Sequence, residues 1–214
     1  MTKLFLDVLD KSRRELWNEL RVLSKNGGVL AGGTAIALQI EHRVSEDFDV
    51  FVPGEISAAV RRKAYELIHG LERVPIDNND QLTLLSRTGL KLTLVNYPYR
   101  PLHKLIKTES LFMFDLRDLA SNKAYTIGRR GTWRDYVDLY FLLKEKRATL
   151  KQMITEAESR FGPEFDLRRF LDQLTYTKDL GDFNIQFVRD VVTPIKISKF
   201  FTDQVKEFGL LANL

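Results

Sequence analysis

Two aspartates in the stretch DFDVFV, Asp47 and Asp49, are the residues whose spacing best suits chemistry. Side chains alternate along a β-strand, so both carboxylates would lie on the same face. Like charges repel, and carboxylates resist burial, so stability alone rarely selects this arrangement. Such a pair is often only structural or solvated. A shared divalent cation would explain it here, because Mg²⁺ prefers carboxylate oxygens and leaves positions for water and phosphate. We therefore expect one or two Mg²⁺ ions at this pair.

A glycine turn precedes the two acids by thirteen residues. The apolar run 29–31 breaks at Gly32-Gly33, and Thr34 follows as a candidate N-cap for a helix. Glycines let a phosphate chain approach the backbone, and free amides at a helix N-terminus attract anions. We predict that Gly32, Gly33 and Thr34 bind the phosphates of a nucleotide. The turn and the acids together suit metal-assisted nucleotidyl transfer.

Composition limits the classes of protein. The chain has 214 residues, 44% of them hydrophobic, with a net charge of +4, which permits a polyanionic partner without requiring one. It contains no cysteine, which excludes disulfides and thiolate chemistry and fits a reducing cytoplasm. Its three histidines lack metal-ligand spacing. No stretch resembles a signal peptide or membrane span, so we expect a cytoplasmic protein with no membrane partner.

The hydrophobic periodicity predicts an α/β protein with a mixed sheet, followed by helices. We place the α/β core at residues 1–108 and a helical lobe, packed against it, at residues 109–214. Helices are predicted at 3–24, after Gly33, and at 57–69, 116–129, 132–146, 149–161, 164–175 and 194–211; strands are predicted at 29–31, 47–52, 71–76, 81–86 and 90–96.

The last of these strands bears on the candidate site. Its leucines would face the covering helices, which leaves Lys91 and Thr93 on the opposite face. Lys91 could contact phosphate there, although a lysine on a strand is more often only exposed. We count Lys91 and Ser45 with the candidate nucleotide-binding residues.

Two charged residues occupy apolar positions of the later helices. Lys123 falls within the apolar stripe of helix 116–129, where it either extends to water or contacts an anion inside the fold. Asp138 lies in a helix that is apolar almost all round, and a buried carboxylate needs a cation. The residues alone leave two choices open for that cation. It is either Arg134, one turn earlier, or a functional partner: Lys123 or the metal cluster at Asp47 and Asp49, where Asp138 would serve as a third acid.

The order of these elements resembles the G-G … D-x-D signature of polymerase-beta-like nucleotidyltransferases. The stretch AGGTAIALQIEHRVSEDFDVF, together with DLASNKAYTI and RDYVDLYFLL, is similar in sequence to the AbiEii/AbiGii toxin family over about residues 29–143. Many polymerase-beta-like enzymes carry a third acid on a later strand, and Thr93 occupies that position here. The resemblance implies a polymerase-beta-like fold. It also places Lys123 and Asp138 in the active site with Asp47 and Asp49, supported by Arg134 and Asp135.

The resemblance also implies a biological role. It predicts the toxin of a toxin–antitoxin or phage-defence system, which transfers NMP from an NTP to RNA such as the tRNA 3′ end and has a cognate antitoxin. Three alternatives remain open. The acceptor could be a hydroxyl of a protein or small molecule, or the chain could be a non-catalytic NTP-binding or antitoxin-like module. In the third, Lys123 and Asp138 form only a structural ion pair.

Overall fold

A six-stranded mixed sheet forms the centre of the chain in the computed structural model, which describes residues 3–177, 180–181 and 184–212. The strands are β1 (Val29–Ala31), β2 (Asp47–Val52), β3 (Leu71–Asp77), β4 (Gln81–Ser86), β5 (Lys91–Asn96) and β6 (Phe112–Met113), in the order β3-β4-β5-β2-β1-β6. Strand β2 is antiparallel to β1 and parallel to β5. The predicted α/β class with a mixed sheet is confirmed.

Eight α-helices surround this sheet among the described residues. They are α1 (Lys11–Glu19), α2 (Gly32–Ile40), α3 (Ala58–Leu67), α4 (Leu116–Arg130), α5 (Trp133–Lys144), α6 (Leu150–Phe161), α7 (Leu167–Thr175) and α8 (Pro194–Ala212). Helices α4 to α8 follow the sheet in sequence, as predicted for the C-terminal part. The division at residues 108 and 109 stays a prediction; β6 comes after it and pairs with β1. Every helix within the described ranges is too short or too polar to span a lipid bilayer.

The predicted first helix, residues 3–24, is wrong in its extent. The chain forms a 3₁₀ turn at Leu6–Val8, then α1, then a 3₁₀ helix at Leu20–Asn26. The break has a local cause, because Asp10 is an N-cap whose side chain accepts a hydrogen bond from the Arg13 amide. The segment ends at Gly27, which adopts the left-handed conformation typical of a helix C-terminus, with φ of +76°.

Alternation along β2 and β5 is as predicted. Phe48, Val50 and Val52 are buried, while Asp47 and Asp49 are half-buried on the opposite face. In the register with β5, Asp47 lies opposite Lys91 and Asp49 lies opposite Thr93. Residues directly opposite each other in a ladder share a face. The two acids therefore face the same side of the sheet as Lys91 and Thr93.

Candidate active site

Asp47 and Asp49 form the negative edge of a cleft of about 740 Å³ between the sheet and the later helices. Burial, reinforced by the neighbouring Asp47 carboxylate, raises the pKa of Asp49 to about 6. Lys91 Nζ lies 3.4 Å from Asp47 Oδ2. The sheet thus holds two acids that destabilise each other, which is the arrangement expected where a cation is to be bound.

The two glycines are required by close approach of other side chains. Gly32 has φ of +66°, and a Cβ on it would overlap Oδ2 of Asp49. A Cβ on Gly33 would overlap Nη2 of Arg43 and lie 3.1 Å from Oδ2 of Asp138. The start of α2 is therefore in contact with both the acid pair and a second charged group behind it.

Replacement of Gly32 by alanine should destabilise the fold more than the backbone conformation alone explains. Gly70 has the same φ of +66°, but no atom lies within 4 Å of the position that a Cβ would occupy there, so Gly70→Ala isolates the backbone cost. That cost is about 1–2 kcal/mol. We expect Gly32→Ala to lower the free energy of unfolding by at least about 1 kcal/mol more than Gly70→Ala, because Asp49 must move. Urea denaturation of both variants measures the difference; equal losses would contradict the contact.

The sequence suggested Thr34 as the N-cap of α2, and this prediction is wrong. The helix begins at Gly32 with Ala31 as its N-cap, and Thr34 is buried within the first turn. Its hydroxyl donates to the backbone oxygen of Asp47 and lies 2.7 Å from Ser45 Oγ. Thr34 and Ser45 both line the cleft, but their hydroxyls bond to each other and to β2. They fix the acid strand against the glycine turn.

Lys123 points into the fold and ends at the cleft. Its Nζ lies 2.7 Å from Asp135 Oδ1 and 2.7 Å from Asp138 Oδ2. Burial by itself would lower the pKa of Lys123, but the two carboxylates outweigh burial and raise it. The lysine is therefore held as a cation at the cleft wall. The alternative in which it extends to water is wrong, since its side chain is only 10% exposed.

Asp138 is fully buried behind this wall and is the centre of a charged cluster. Arg43 donates to both of its oxygens, from Nε at 2.7 Å and from Nη2 at 3.0 Å. His42 Nε2 lies 2.7 Å from Oδ1. Burial would raise the pKa of Asp138, yet Arg43, Lys123 and His42 hold that pKa well below its usual range. A carboxylate engaged in this way is a poor proton acceptor, which favours a positioning role for Asp138 over a role in deprotonation of the acceptor.

Arg134 does not pair with Asp138, so that alternative is corrected. It extends towards β2 instead, with Nη2 2.8 Å from Glu46 Oε2 and Nη1 3.8 Å from Asp47 Oδ2. Asp135 completes the capping box of α5, whose N-cap is Thr132: one of its oxygens accepts from the amide and the hydroxyl of Thr132, and the other accepts from Lys123 Nζ. Both residues line the cleft and therefore lie in the predicted neighbourhood.

Sequence reasoning missed His42 and Arg43. They lie in the turn between α2 and β2, which reads as a polar connection, and Arg43 is 95 residues from Asp138. Both side chains are buried, so their contacts with Asp138 lie inside the fold. One signal was present: a buried acid in α5 had to have a cationic partner. Nothing local identified which one.

The described residues place four cations at this cleft, namely Arg43, Lys91, Lys123 and Arg134. Asp47, Asp49 and Asp135 line the cleft as well, and Asp138 lies behind it in contact with Arg43 and Lys123, so the cleft and this support together carry four acids against four cations. The described residues contain no group of three or more acids or histidines that could hold a metal. Two carboxylates beside an open cleft nevertheless fit Mg²⁺, which keeps several water or phosphate ligands.

No family model matches the chain. Among the solved structures that share its fold are the following two. MenT4, the nucleotidyltransferase toxin Rv2826c from Mycobacterium tuberculosis H37Rv, is 16% identical, with a TM-score of 0.63 over 95% of this chain and 83% of that one. JHP933 from Helicobacter pylori is 17% identical, with a TM-score of 0.54 over 95% and 93% of the two chains. At these identities the likeness establishes a nucleotidyltransferase fold, and membership of the AbiEii/AbiGii family stays a prediction.

A sequence relative covers nearly the whole chain. The uncharacterized protein aq_aa25 of Aquifex aeolicus (strain VF5) is 30% identical over 210 residues, which are 94% of this chain and 97% of that protein. The chain therefore belongs to the same family as the Aquifex aeolicus protein aq_aa25.

Proposed function

We propose that this protein is a metal-dependent nucleotidyltransferase, which transfers NMP from an NTP to an acceptor hydroxyl and releases pyrophosphate. One observation carries the proposal: Asp47 and Asp49 face the same cleft as the first turn of α2 and the buried cation Lys123. In the reaction, the acceptor oxygen bonds to the α-phosphorus as the bond to the pyrophosphate oxygen breaks. The hydroxyl proton passes to water.

Asp47 and Asp49 would hold one or two Mg²⁺ ions. Bound Mg²⁺ supplies the positive charge that offsets the phosphates and that the balanced side chains of the cleft and its support lack. The raised pKa of Asp49 supports this assignment, because burial and the neighbouring Asp47 both disfavour its ionised form, and a bound cation would stabilise that form.

The chain's own residues bind and align the triphosphate. The free amides of the first turn of α2, beginning at Gly32 and Gly33, suit phosphate oxygens. Lys123, Arg43, Lys91 and Arg134 line the cleft and would neutralise the charge that develops on the leaving pyrophosphate. Asp138 and Asp135 act through Lys123 and Arg43, whose positions they fix. Alignment and charge neutralisation would supply the rate without a covalent intermediate.

We further propose that the protein is a toxin of a cytoplasmic toxin–antitoxin or phage-defence system, with an RNA acceptor such as the tRNA 3′ end and a cognate antitoxin. The resemblance of its motifs to the AbiEii/AbiGii family supports this role. The shared fold with MenT4, which is named as a nucleotidyltransferase toxin, is consistent with it.

Incubation with each NTP, labelled at the α-phosphate, tests the reaction and its acceptor. With Mg²⁺ and total RNA we expect label in RNA and stoichiometric release of pyrophosphate, both abolished by EDTA. Parallel reactions contain total protein or no acceptor, and Glu55→Gln, an exposed acid outside the cleft, serves as control. Label in protein alone would contradict the RNA acceptor. No release of pyrophosphate with any acceptor would contradict the transferase.

A further inference from the structure

A second cleft, also of about 740 Å³, adjoins the first one at the acid pair. Gly33, Asp49, Lys91 and Lys123 line both clefts. Along β2, Asp47 faces only the first cleft, Asp49 faces both, and Phe51 faces only the second. We call the second cleft the aromatic groove and define it by Phe51, Tyr97, Tyr99, Tyr125 and Arg129.

The two clefts differ in chemistry. The first carries Arg43 and Arg134, which suit phosphates, and it also has an apolar wall at Trp133 and Leu180. The aromatic groove has rings along one side, and its floor is the open face of β4 and β5, with Thr83 and Thr93 opposite each other. Pockets for small organic ligands span about 300–1,000 Å³, so each cleft has room for a nucleotide.

The geometry of in-line transfer assigns one substrate to each of the two clefts. In-line transfer requires the attacking oxygen to approach the α-phosphorus from the side opposite the leaving pyrophosphate. If the cationic cleft holds the triphosphate, the acceptor must reach the acid pair from the other side. The aromatic groove opens there, beside Asp49 and Thr93.

The groove's side chains suit an unstacked base. The ring of Tyr97 stacks on Phe51 at 4.1 Å, and Tyr99 packs edge-on against both Tyr97 and Tyr125. The guanidinium of Arg129 lies 4.3 Å from the centre of the Tyr125 ring, half of that side chain is exposed, and its Nη2 lies 3.1 Å from Oε2 of the half-exposed Glu164 side chain. Single-stranded nucleic acids bind through aromatic rings and guanidinium planes with a cationic contact to the backbone. A side-chain hydroxyl of a protein acceptor would use none of these features.

We propose that the aromatic groove binds the terminal nucleotide of a single-stranded nucleic acid and presents its ribose hydroxyl beside Asp49. This inference rests on the proposed function and assigns the acceptor to a separate subsite. Phe51, Tyr97 and Tyr99 pack against the terminal base. Arg129 stacks on a base or pairs with a phosphate at the outer end of the groove.

Two substitutions at the groove test the assignment without touching the acid pair. Arg129→Gln removes one exposed charge, and Arg168→Gln removes the same charge from an exposed position on α7 that lines neither cleft. Ile76→Glu adds an acid at a groove position that is 36% exposed, and Val22→Glu adds one at a 40% exposed position elsewhere. Fluorescence anisotropy with a 5′-labelled single-stranded RNA, and a parallel titration with a fluorescent NTP and Mg²⁺, give the two affinities.

Arg129→Gln should bind the RNA about tenfold more weakly than wild type, as expected for loss of one cationic or stacking contact. Ile76→Glu should weaken RNA binding by a similar factor, because the added carboxylate repels the phosphate backbone. Arg129→Gln should also reduce the slope of log K against log salt by about 0.7. The two control variants should bind RNA like wild type, and all four should bind the NTP unchanged.

Three results would overturn the groove assignment. In the first, the control variants bind RNA as weakly as the groove variants do. In the second, the groove variants lose affinity for the NTP but keep their affinity for RNA. In the third, the wild-type protein binds no RNA but still transfers NMP to protein. The second result would place the base of the NTP in the groove, and the third would leave the transferase standing with another acceptor. A wild type that binds no NTP would contradict the proposed function itself.

Discussion

Replacement of Asp49 by asparagine should abolish NMP transfer, with a rate at least about 10³-fold below wild type. The substitution keeps the shape of the side chain but removes one of the two carboxylates that would bind Mg²⁺. The purified variant is assayed with saturating NTP and total RNA by release of pyrophosphate. Asp7→Asn, at a carboxylate that is 81% exposed, is the matched control and should retain activity. A variant with more than a tenth of the wild-type rate would contradict the assignment of the acid pair.

The same substitution should make the protein more stable in metal-free buffer. The pKa of Asp49 is about 6 in the fold, raised by burial and by Asp47, against 3.8 for the ordinary side chain. The folded state therefore holds the proton more tightly, and wild-type stability falls as pH rises from about 4 to about 6 and then levels off. Asparagine has no such dependence. Above pH 6 the free energy of unfolding of Asp49→Asn should exceed that of wild type by about 1–3 kcal/mol.

Denaturation in EDTA between pH 4 and pH 8 measures this difference. The gap between Asp49→Asn and wild type should open across that window, and added Mg²⁺ should raise the stability of wild type more than that of the variant. Asp7→Asn should show no comparable gap. A variant less stable than wild type at pH 7 would show that the contacts of the Asp49 side chain stabilise the fold by more than its buried charge destabilises it.

The sequence predicted best what depends on local periodicity. Alternation along β2 separated Asp47 and Asp49 from the buried Phe48, and the register with β5 confirmed Thr93 on the same face as the acids. Asp115, the acid directly before the predicted helix 116–129, caps α4. A helix that is apolar all round was expected to be buried, and α5 is. Each of these features follows from spacing within a few residues.

What could not be predicted depends on contacts between distant segments. The partner of Asp138 is Arg43, from a turn that carries no periodic signal of its own. A further late segment holds that turn: the amide of Val44 donates to the oxygen of Gln186, and the amide of Val188 donates to that of His42. Two stretches more than 140 residues apart thus position one guanidinium. Only the folded chain shows that the polar turn is an internal support for the cleft.

This support has an energetic consequence, because its charges are buried together. Asp138 has no exposed surface and pairs with Arg43, Lys123 and His42. The stabilisation of these three side chains therefore depends on one carboxylate. Removing one member of a buried charged cluster leaves the others without compensation, at a cost of about 3–5 kcal/mol. An exposed pair such as Arg134 and Glu46 contributes about 1 kcal/mol or less.

Asp138→Asn should therefore lower the free energy of unfolding at pH 7 by about 3–5 kcal/mol, against about 1 kcal/mol or less for the control Glu46→Gln. The pKa of Asp138 lies well below 3.8, so its contribution is complete above pH 4 and is lost only as pH falls through that low value. The gap between variant and wild type should be constant from pH 5 to pH 8. Urea denaturation at several pH values measures it. A loss below about 1 kcal/mol would contradict the buried cluster.

A double variant separates the charge cluster from simple packing. Arg43→Met removes the main cation, so that Asp138→Asn no longer leaves the guanidinium unpaired. Groups in direct contact are not additive, and we expect the double variant to lose about 1–3 kcal/mol less than the sum of the single losses. Additive losses would mean that Arg43 and Asp138 stabilise the fold independently. The four buried side chains would then not act as one coupled cluster.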